Sequence, residues 1–321
     1  MTLMKMMQTE QLSTNMVCVN GLYIVSYNMR GFNQGIEVVS DLVNSRDPPD
    51  IILLQEHWLA PVNLSLFGEK MQSHYAFGKS AMYDRLTQEG PPLVGRPFGG
   101  ISILIKNELH AATKCIFCAD RYVVIRVGYL LIVNMYLPCV RTADRSDIVD
   151  DIWQDVWSCG LKYMGCAVII GGDFNTDLDK CNDILGYINN FILNHSLLRC
   201  DTGFLSSRQY TYVNESLGHN SVIDYFVCDN IGEILDYRVL DPDINLSDHL
   251  PVAVRCKSTI QPILLATDVS QGSRVKQLRW DTRICCLTIT LQCVCCIPCI
   301  TSCLNLKMLF LQLVMLTAII L

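Results

Sequence analysis

Gly171-Gly172-Asp173-Phe174-Asn175-Thr176-Asp177 follows directly on an apolar run, Cys166 to Ile170, and sets a carboxylate and a carboxamide two residues apart. The run reads as a buried strand, and the glycines predict a backbone turn at its carboxyl end that presents Asp173 and Asn175 on one rim. That rim is where open α/β sheets place their chemistry. Gly, Asp and Asn also build ordinary turns, so the segment takes its meaning from what accompanies it.

Four other segments have the same form, an apolar run ending in groups able to hold a metal or a phosphate. Leu22 to Tyr27 leads to Asn28, Met29, Arg30 and Gly31, and Ile51 to Leu54 leads to Gln55, Glu56, His57 and Trp58. Leu131 to Met135 delivers the phenol of Tyr136. The last is split between Ser221-Val222-Ile223-Asp224-Tyr225-Phe226 and Ser247-Asp248-His249-Leu250-Pro251. Taken singly, each has an ordinary alternative. Asn28 can form a turn, Glu56 can be a solvated charge, Tyr136 a core aromatic with a wet tip, Asp248 a cap and His249 a structural imidazole. Together they show a chain with only 17% charged residues placing its acids repeatedly at the ends of hydrophobic strands.

In wording and order, Ser26 to Gly31, Leu54 to Leu59, Gly171 to Asn175 and Ser247 to Pro251 resemble the endonuclease/exonuclease/phosphatase superfamily. Within it they are most similar to the apurinic-endonuclease-like endonuclease domain of non-LTR (LINE-type) retrotransposons. The resemblance covers about residues 20–257. It implies an α/β fold, a four-layer sandwich of two packed, mainly antiparallel sheets flanked by helices. It further implies a Mg²⁺-dependent phosphodiesterase that nicks DNA to leave a 3′-hydroxyl, with Mn²⁺ as a substitute ion and no small-molecule cofactor. A phosphatase or lipid phosphodiesterase on the same scaffold, or a catalytically silent domain that binds DNA or a partner, is the alternative.

Phosphodiester hydrolysis brings water to an anion in line with the leaving oxygen while phosphoryl charge is neutralised. Mg²⁺ takes oxygen ligands from one or two carboxylates, water and the substrate phosphate. Glu56 is the first choice for the metal ligand, with Asn28 beside it and Asp248 as a further ligand. The resemblance implies that Asp173 orients or deprotonates the attacking water and that Asn175 holds the phosphate or the nucleophile. It implies that His249, oriented and kept cationic by Asp224, donates to a phosphoryl oxygen, while Tyr136 contacts the phosphate. Arg30 stands where apurinic-site enzymes often carry an additional acid, and so reads as a phosphate contact. His57 is expected to face DNA or, equally, to serve as a cap or stand in solvent.

The pattern predicts strands near 22–28, 51–55, 100–106, 121–127, 130–137, 167–173, 222–228 and 251–256. Helices are expected near 33–45, 147–164 and 180–194. Residues 100–137 read as consecutive antiparallel partners, and the Gly- and Pro-rich stretch 84–100 as a loop bordering the cleft. The chain of 321 residues is expected to divide into an extension (1–19), the catalytic domain (20–257), a linker (258–283) and a Cys-rich hydrophobic tail (284–321).

Charge argues against a tight DNA complex. The chain carries a net −6, and residues 258–321 hold five Lys or Arg against two Asp or Glu, so residues 1–257 carry −9. Arg30, Lys79, Arg85, Arg96 and Arg208 form at most a sparse phosphate track, which predicts weak, salt-sensitive binding. Ten of the 17 cysteines are scattered over residues 18–256 without pairing rhythm, as in a reducing compartment, nuclear or cytoplasmic. The other seven lie between Cys285 and Cys303, in a stretch that is uncharged from Ile284 to Leu306 and long enough for a bilayer span. Gln277 to Asp281 resembles the linker to a reverse transcriptase, yet no polymerase sequence follows it. The tail therefore reads as unselected sequence after loss of the coding frame near residue 282, with a membrane anchor as the alternative.

Overall fold

The computed structural model describes residues 21–82, 98–161, 165–204 and 209–257. The N-terminal extension, the linker and tail, Arg85, Arg96, Arg208 and most of the 84–100 loop lie outside the described residues.

The first sheet runs, from edge to edge, β13 (Ile234–Val239), β14 (Val252–Cys256), β1 (Leu22–Asn28), β2 (Ile51–Gln55), β4 (Ile101–Lys106) and β3 (His74–Lys79). The second runs β5 (Thr113–Cys118), β6 (Tyr122–Val127), β7 (Leu130–Tyr136), β8 (Ala167–Asp173), β12 (Asp224–Cys228) and β9 (Leu198–Arg199). A small ribbon pairs β10 (Tyr212–Asn214) with β11 (His219–Ser221). Among the described strands, β1 with β2 and β7 with β8 pair in parallel, and the other pairs are antiparallel.

Alternation of side chains explains the layers. Leu22 and Ile24 of β1, Ile51 and Leu53 of β2, and Ile101, Ile103 and Ile105 of β4 meet Val123, Ile125, Ile132 and Phe226 of the second sheet in one central core. The intervening residues face outward onto helices. Tyr27, Ile52, Leu54 and Leu104 pack on α1 (Phe32–Val43) and on Phe67 of α2 (Leu66–Lys70). Val124, Leu131, Val133 and Tyr225 pack on α3 (Arg145–Leu161) and α4 (Leu185–Asn194). Each such buried aliphatic or aromatic side chain contributes about 1.5–3 kcal/mol, which the sandwich collects on both faces of both sheets.

Residues 100–137 depart from the expected run of partners. Strand β4 inserts between β2 and β3, and the chain crosses to the second sheet through the turn Asn107–Ala112, so that β5, β6 and β7 alone form the consecutive set. The reason is burial: all but the last residue of β4 are buried, which suits an interior position, whereas β5 is half exposed and takes an edge. The two glycines of β8 are likewise not in a turn, because the strand continues through them to Asp173. A Cβ on Gly171 would overlap the Phe226 ring, and one on Gly172, at φ 149°, would overlap the Met135 carbonyl. Their role is close approach of backbone to neighbour.

Of the roles expected for His57, burial leaves the cap. It is fully buried, its Nδ1 accepts from the Leu59 N–H at 3.0 Å, and its Nε2 donates to the Lys79 carbonyl at 3.2 Å. Its ring meets the Phe67 edge at 5.6 Å, and Gly100 leaves the room it occupies. It faces no solvent and no DNA; it fixes the loop after β2. Burial pushes its pKa down to about 4, against which the backbone hydrogen bonds work only partly.

Two consequences are measurable. Gly172→Ala should lower stability by about 3 kcal/mol or more in urea unfolding, since the obstacle is backbone; a loss under about 0.5 kcal/mol would contradict the close-approach role. Folded His57 resists protonation until about pH 4 while the unfolded residue takes a proton near 6.5, so its contribution is present above about 6.5 and lost as pH falls toward 4. The stability lead of the wild type over His57→Asn should therefore shrink by about 3 kcal/mol between pH 7 and pH 4, and a constant lead would refute the assignment.

Candidate active site

Strand register brings the predicted residues together. Tyr136 of β7 stands opposite Asp173 of β8, and Asp173 stands opposite Asp224 of β12, so three chemistry-bearing residues share one level of the second sheet. On the first sheet Asn28 pairs with Gln55, and Glu56 follows directly. The strand ends of both sheets meet there, and Asn28 Nδ2 donates to Asp173 Oδ2 at 2.9 Å and to Glu56 Oε1 at 3.2 Å.

One local device builds both rims. Asn28 Oδ1 accepts the N–H of Arg30 at 3.0 Å, and Asp173 Oδ1 accepts the N–H of Asn175 at 2.8 Å. The accepting residue ends a strand, and residues 30 and 175 each adopt the left-handed region, at φ 50° and 49°. Asn tolerates that conformation and Arg does so at some strain. The Asn175 amide donates to Asp173 Oδ2 at 3.1 Å and to the Leu137 carbonyl at 2.9 Å. Asp173 thus accepts from three N–H groups.

Asp224 is 1% exposed and grips His249, whose Nδ1 lies 2.9 Å and 3.1 Å from its two oxygens. Burial alone would lower the His249 pKa, but the Asp224 charge and hydrogen bond outweigh it and raise the pKa to about 10. His249 is therefore a cation with Nδ1–H committed to Asp224, while its Nε2 lies 3.9 Å from Asp248 Oδ1, beyond hydrogen-bond distance. Asp173, fully buried, is pushed well above the usual carboxylate range, first by burial and then by the Asp224 charge, with His249 opposing.

Tyr136 donates its hydroxyl to Glu56 Oε1 at 2.8 Å, and the Trp58 indole N–H donates to Oε2 at 3.2 Å. Burial, then Glu56, raises the Tyr136 pKa, so the phenol keeps its proton. Asn28 presents its NH₂ to the two carboxylates and accepts one backbone N–H on its oxygen, so it links the acids and keeps a second lone pair on that oxygen. Asp248 stands apart, with Arg30 at 3.6 Å and His249 Nε2 at 3.9 Å. The Arg30 guanidinium is half exposed at the rim.

Four carboxylates, Glu56, Asp173, Asp224 and Asp248, face two cations, His249 and Arg30, which leaves two formal negative charges in excess. The raised Asp173 is the response to that excess, and a hard dication suits it. Asp173, Asp224 and His249 offer ligand atoms within 4.8 Å of one another. Two of the three are spent on their mutual ion pair, and a cationic imidazole does not ligate. Glu56 fits better: it is only half buried, it is a hard oxygen donor, and its three hydrogen bonds leave lone-pair capacity.

Several supports escaped sequence reading. Thr211, fully buried, accepts the N–H groups of Ile223 and Asp224 on one hydroxyl, each at 3.0 Å. Ser247 donates to the Asn28 carbonyl at 2.8 Å, and Asn245 holds both Ser247 N–H and the His249 carbonyl. Arg145, 3% exposed, donates to the Pro138 and Asn175 carbonyls and pairs with Asp183. The visible signal was the Asn245-x-Ser247 pair itself, a side-chain turn former; nothing marked Thr211 or Arg145.

Residues 25–249 match the model of the Endonuclease/Exonuclease/phosphatase family. No curated protein sequence matches the chain. Among solved structures, the 3′ phosphatase NExo from Neisseria, bound to product DNA hairpin, is 16% identical with a TM-score of 0.57, over 74% of this chain and 100% of that one. The AP endonuclease LMAP from Leishmania major is 12% identical with a TM-score of 0.55, over 74% and 88%. The endonuclease domain of TRAS1, a telomere-specific non-LTR retrotransposon, is 14% identical with a TM-score of 0.54, over 74% and 98%. At these identities the structures share the fold, while the family match spans all five motifs from Asn28 to His249. The chain belongs to the endonuclease/exonuclease/phosphatase family.

Proposed function

We propose that the protein is a Mg²⁺-dependent phosphodiester hydrolase that nicks DNA and leaves a 3′-hydroxyl. The observation that carries this reading is the buried Asp224–His249 ion pair set beside Asp173, at one level of the strand ends and across from Glu56. Hydrolysis of a phosphate ester uses an imidazolium, a carboxylate base and a metal-binding carboxylate together.

Mg²⁺, or Mn²⁺ in its place, would be held at Glu56 and would neutralise the phosphoryl charge. Asp173, steadied by Asn28 and Asn175, would serve as base for the attacking water once a dication at Glu56 offsets the negative charge that keeps its own proton on. His249 donates Nε2–H to a phosphoryl oxygen, and Asp224 keeps the ring cationic and aimed. Tyr136 holds Glu56 in place and stands near enough to the rim to meet the phosphate. Arg30, exposed and paired with Asp248, supplies a backbone contact outside the reacting group. Asp248 acts through Arg30 and His249 in this scheme, in place of direct metal ligation.

DNA as partner also fits the TRAS1 and NExo likenesses, though the excess acidity of residues 1–257 keeps binding weak. No helix among the described residues is long and apolar enough to cross a membrane. A membrane role through residues 284–321 concerns sequence outside the described residues.

Supercoiled plasmid incubated with the full chain and Mg²⁺ should yield open-circle product that chelator abolishes. Asp173→Asn and His249→Ala should each lower the rate at least 100-fold, and activity should fall steeply between 50 and 200 mM salt. Release of phosphate from a 3′-phosphorylated oligonucleotide without nicking would replace the endonuclease by a phosphatase. A folded protein inert to both substrates would leave a silent binding domain.

A further inference from the structure

Strand β1 outruns one of its neighbours at the site. Its last pair with β14 is Ser26 with Val252, whereas on the other side it stays paired with β2 as far as Asn28 with Gln55. His249 lies in the lead-in to β14, before that pairing begins, so the ladder between β1 and β14 does not fix it.

Side chains close the gap. Ser247 Oγ accepts the His249 N–H at 3.1 Å and donates to the Asn28 carbonyl at 2.8 Å. Asn245 Nδ2 donates to the His249 carbonyl at 2.7 Å, while Asn245 Oδ1 accepts the Ser247 N–H at 3.0 Å and the Tyr27 hydroxyl at 2.8 Å. Both backbone groups of His249 are thus held by side chains, and each holder is anchored on β1, one at Asn28 and the other at Tyr27. From the opposite side, the 211–213 segment bonds to the backbone of the flanking residues. Val213 N–H donates to the Asp248 carbonyl at 2.9 Å and Leu250 N–H to the Thr211 carbonyl at 2.7 Å, with the Tyr212 ring 4.9 Å from that of His249.

Tyr27 is fully buried, and its ring belongs to the apolar layer between the first sheet and α1. A phenyl ring would fill that layer as well; the hydroxyl finds its use at the edge of the layer, on Asn245. Burial raises the Tyr27 pKa, so the phenol keeps its proton and remains a donor.

We propose that the Tyr27 hydroxyl is a positioning group for His249, holding the imidazolium through Asn245 at a fixed place relative to the acids beside the end of β1. The inference rests on the hydrolase reading and deepens it: the site's buried cation is set by the same strand that carries Asn28, the residue bonded to both Glu56 and Asp173. Asp224 orients the ring, and Tyr27 steadies the backbone from which the ring projects.

The test uses the full chain and supercoiled plasmid. Tyr27→Phe keeps the ring, and Asn245 Oδ1 keeps the Ser247 N–H, so no buried group loses its last partner. The change should lower kcat about tenfold and leave KM within about twofold, because the aim of a donor is lost and no substrate contact is removed. In an Asn245→Ala background the same change should cost nothing further. A kcat within about twofold of wild type, losses that multiply in the double variant, an effect carried by KM, or a Tyr27→Phe chain that does not fold would each overturn the proposal. A second readout needs no turnover. The downfield Nδ1–H resonance of His249, identified by its loss in His249→Ala, should exchange with solvent about tenfold faster in Tyr27→Phe, while the amides of β6 exchange as before. With an active wild type the kinetics decide. If the wild type hydrolyses neither plasmid nor a 3′-phosphorylated oligonucleotide, the hydrolase reading falls and the exchange decides alone: a faster rate keeps Tyr27 as the positioner of His249, and an unchanged rate removes it.

Discussion

A buried amide pair ties the two sheets together directly beneath the site. Gln55 Nε2 donates to Asn134 Oδ1 at 2.6 Å and to Ser26 Oγ at 3.1 Å, while Asn134 Nδ2 donates to the carbonyls of Leu54 and Ser102 at 3.0 and 2.8 Å. Both residues are fully buried in an otherwise aliphatic interior. Losing these bonds there would be costly, so they favour this one offset of the sheets, even though Gln55 Oε1 itself finds no partner. Apolar packing alone tolerates sliding; these hydrogen bonds do not. Glu56 comes immediately after Gln55 and Tyr136 two residues after Asn134, so the hydrogen bond between them is a consequence of that offset.

From this constraint the site's electrostatics follow. Two sheets that meet at fixed offset bring acids from separate strands into one small volume, where burial and mutual repulsion act on all of them. Asp173 bears the result as a raised pKa, and His249 answers it as a cation at a pH where imidazole is ordinarily neutral. Asn28 serves as the neutral spacer that lets two carboxylates approach, by giving one hydrogen to each. Arg30 and Asp248 hold a second, more exposed charge pair whose strength depends on salt in a way the buried pair does not.

Much of this was legible in the sequence because function had left its residues at the ends of apolar runs. Interior strands such as β1, β2, β4, β7 and β8 are apolar nearly throughout, and the expected spans lie within a residue or two of those observed. Strands β3, β5 and β13 went unread for the opposite reason: they are sheet edges, half exposed, with His74, Lys114 or Asp236 interrupting any run. His57 was left open between DNA, solvent and a cap because a histidine after a functional acid carries no mark of burial. Arg145 and Thr211 were invisible because their partners are backbone groups far along the chain, which no local pattern encodes.

The order of the first sheet has a consequence for how the molecule comes into being. Among the described strands its second in space, β14, is the last in sequence, and it lies between β13 and β1, the first described strand. The domain is thus closed by its own ends, and the Ser247–Asn28 hydrogen bond sits at that seam. A ribosome must release nearly everything up to Cys256 before the central strand β1 gains its second neighbour. Until then a strand that is fully buried in the finished sheet stands with an open edge, so synthesis of this protein passes through a state that is vulnerable to pairing with other chains.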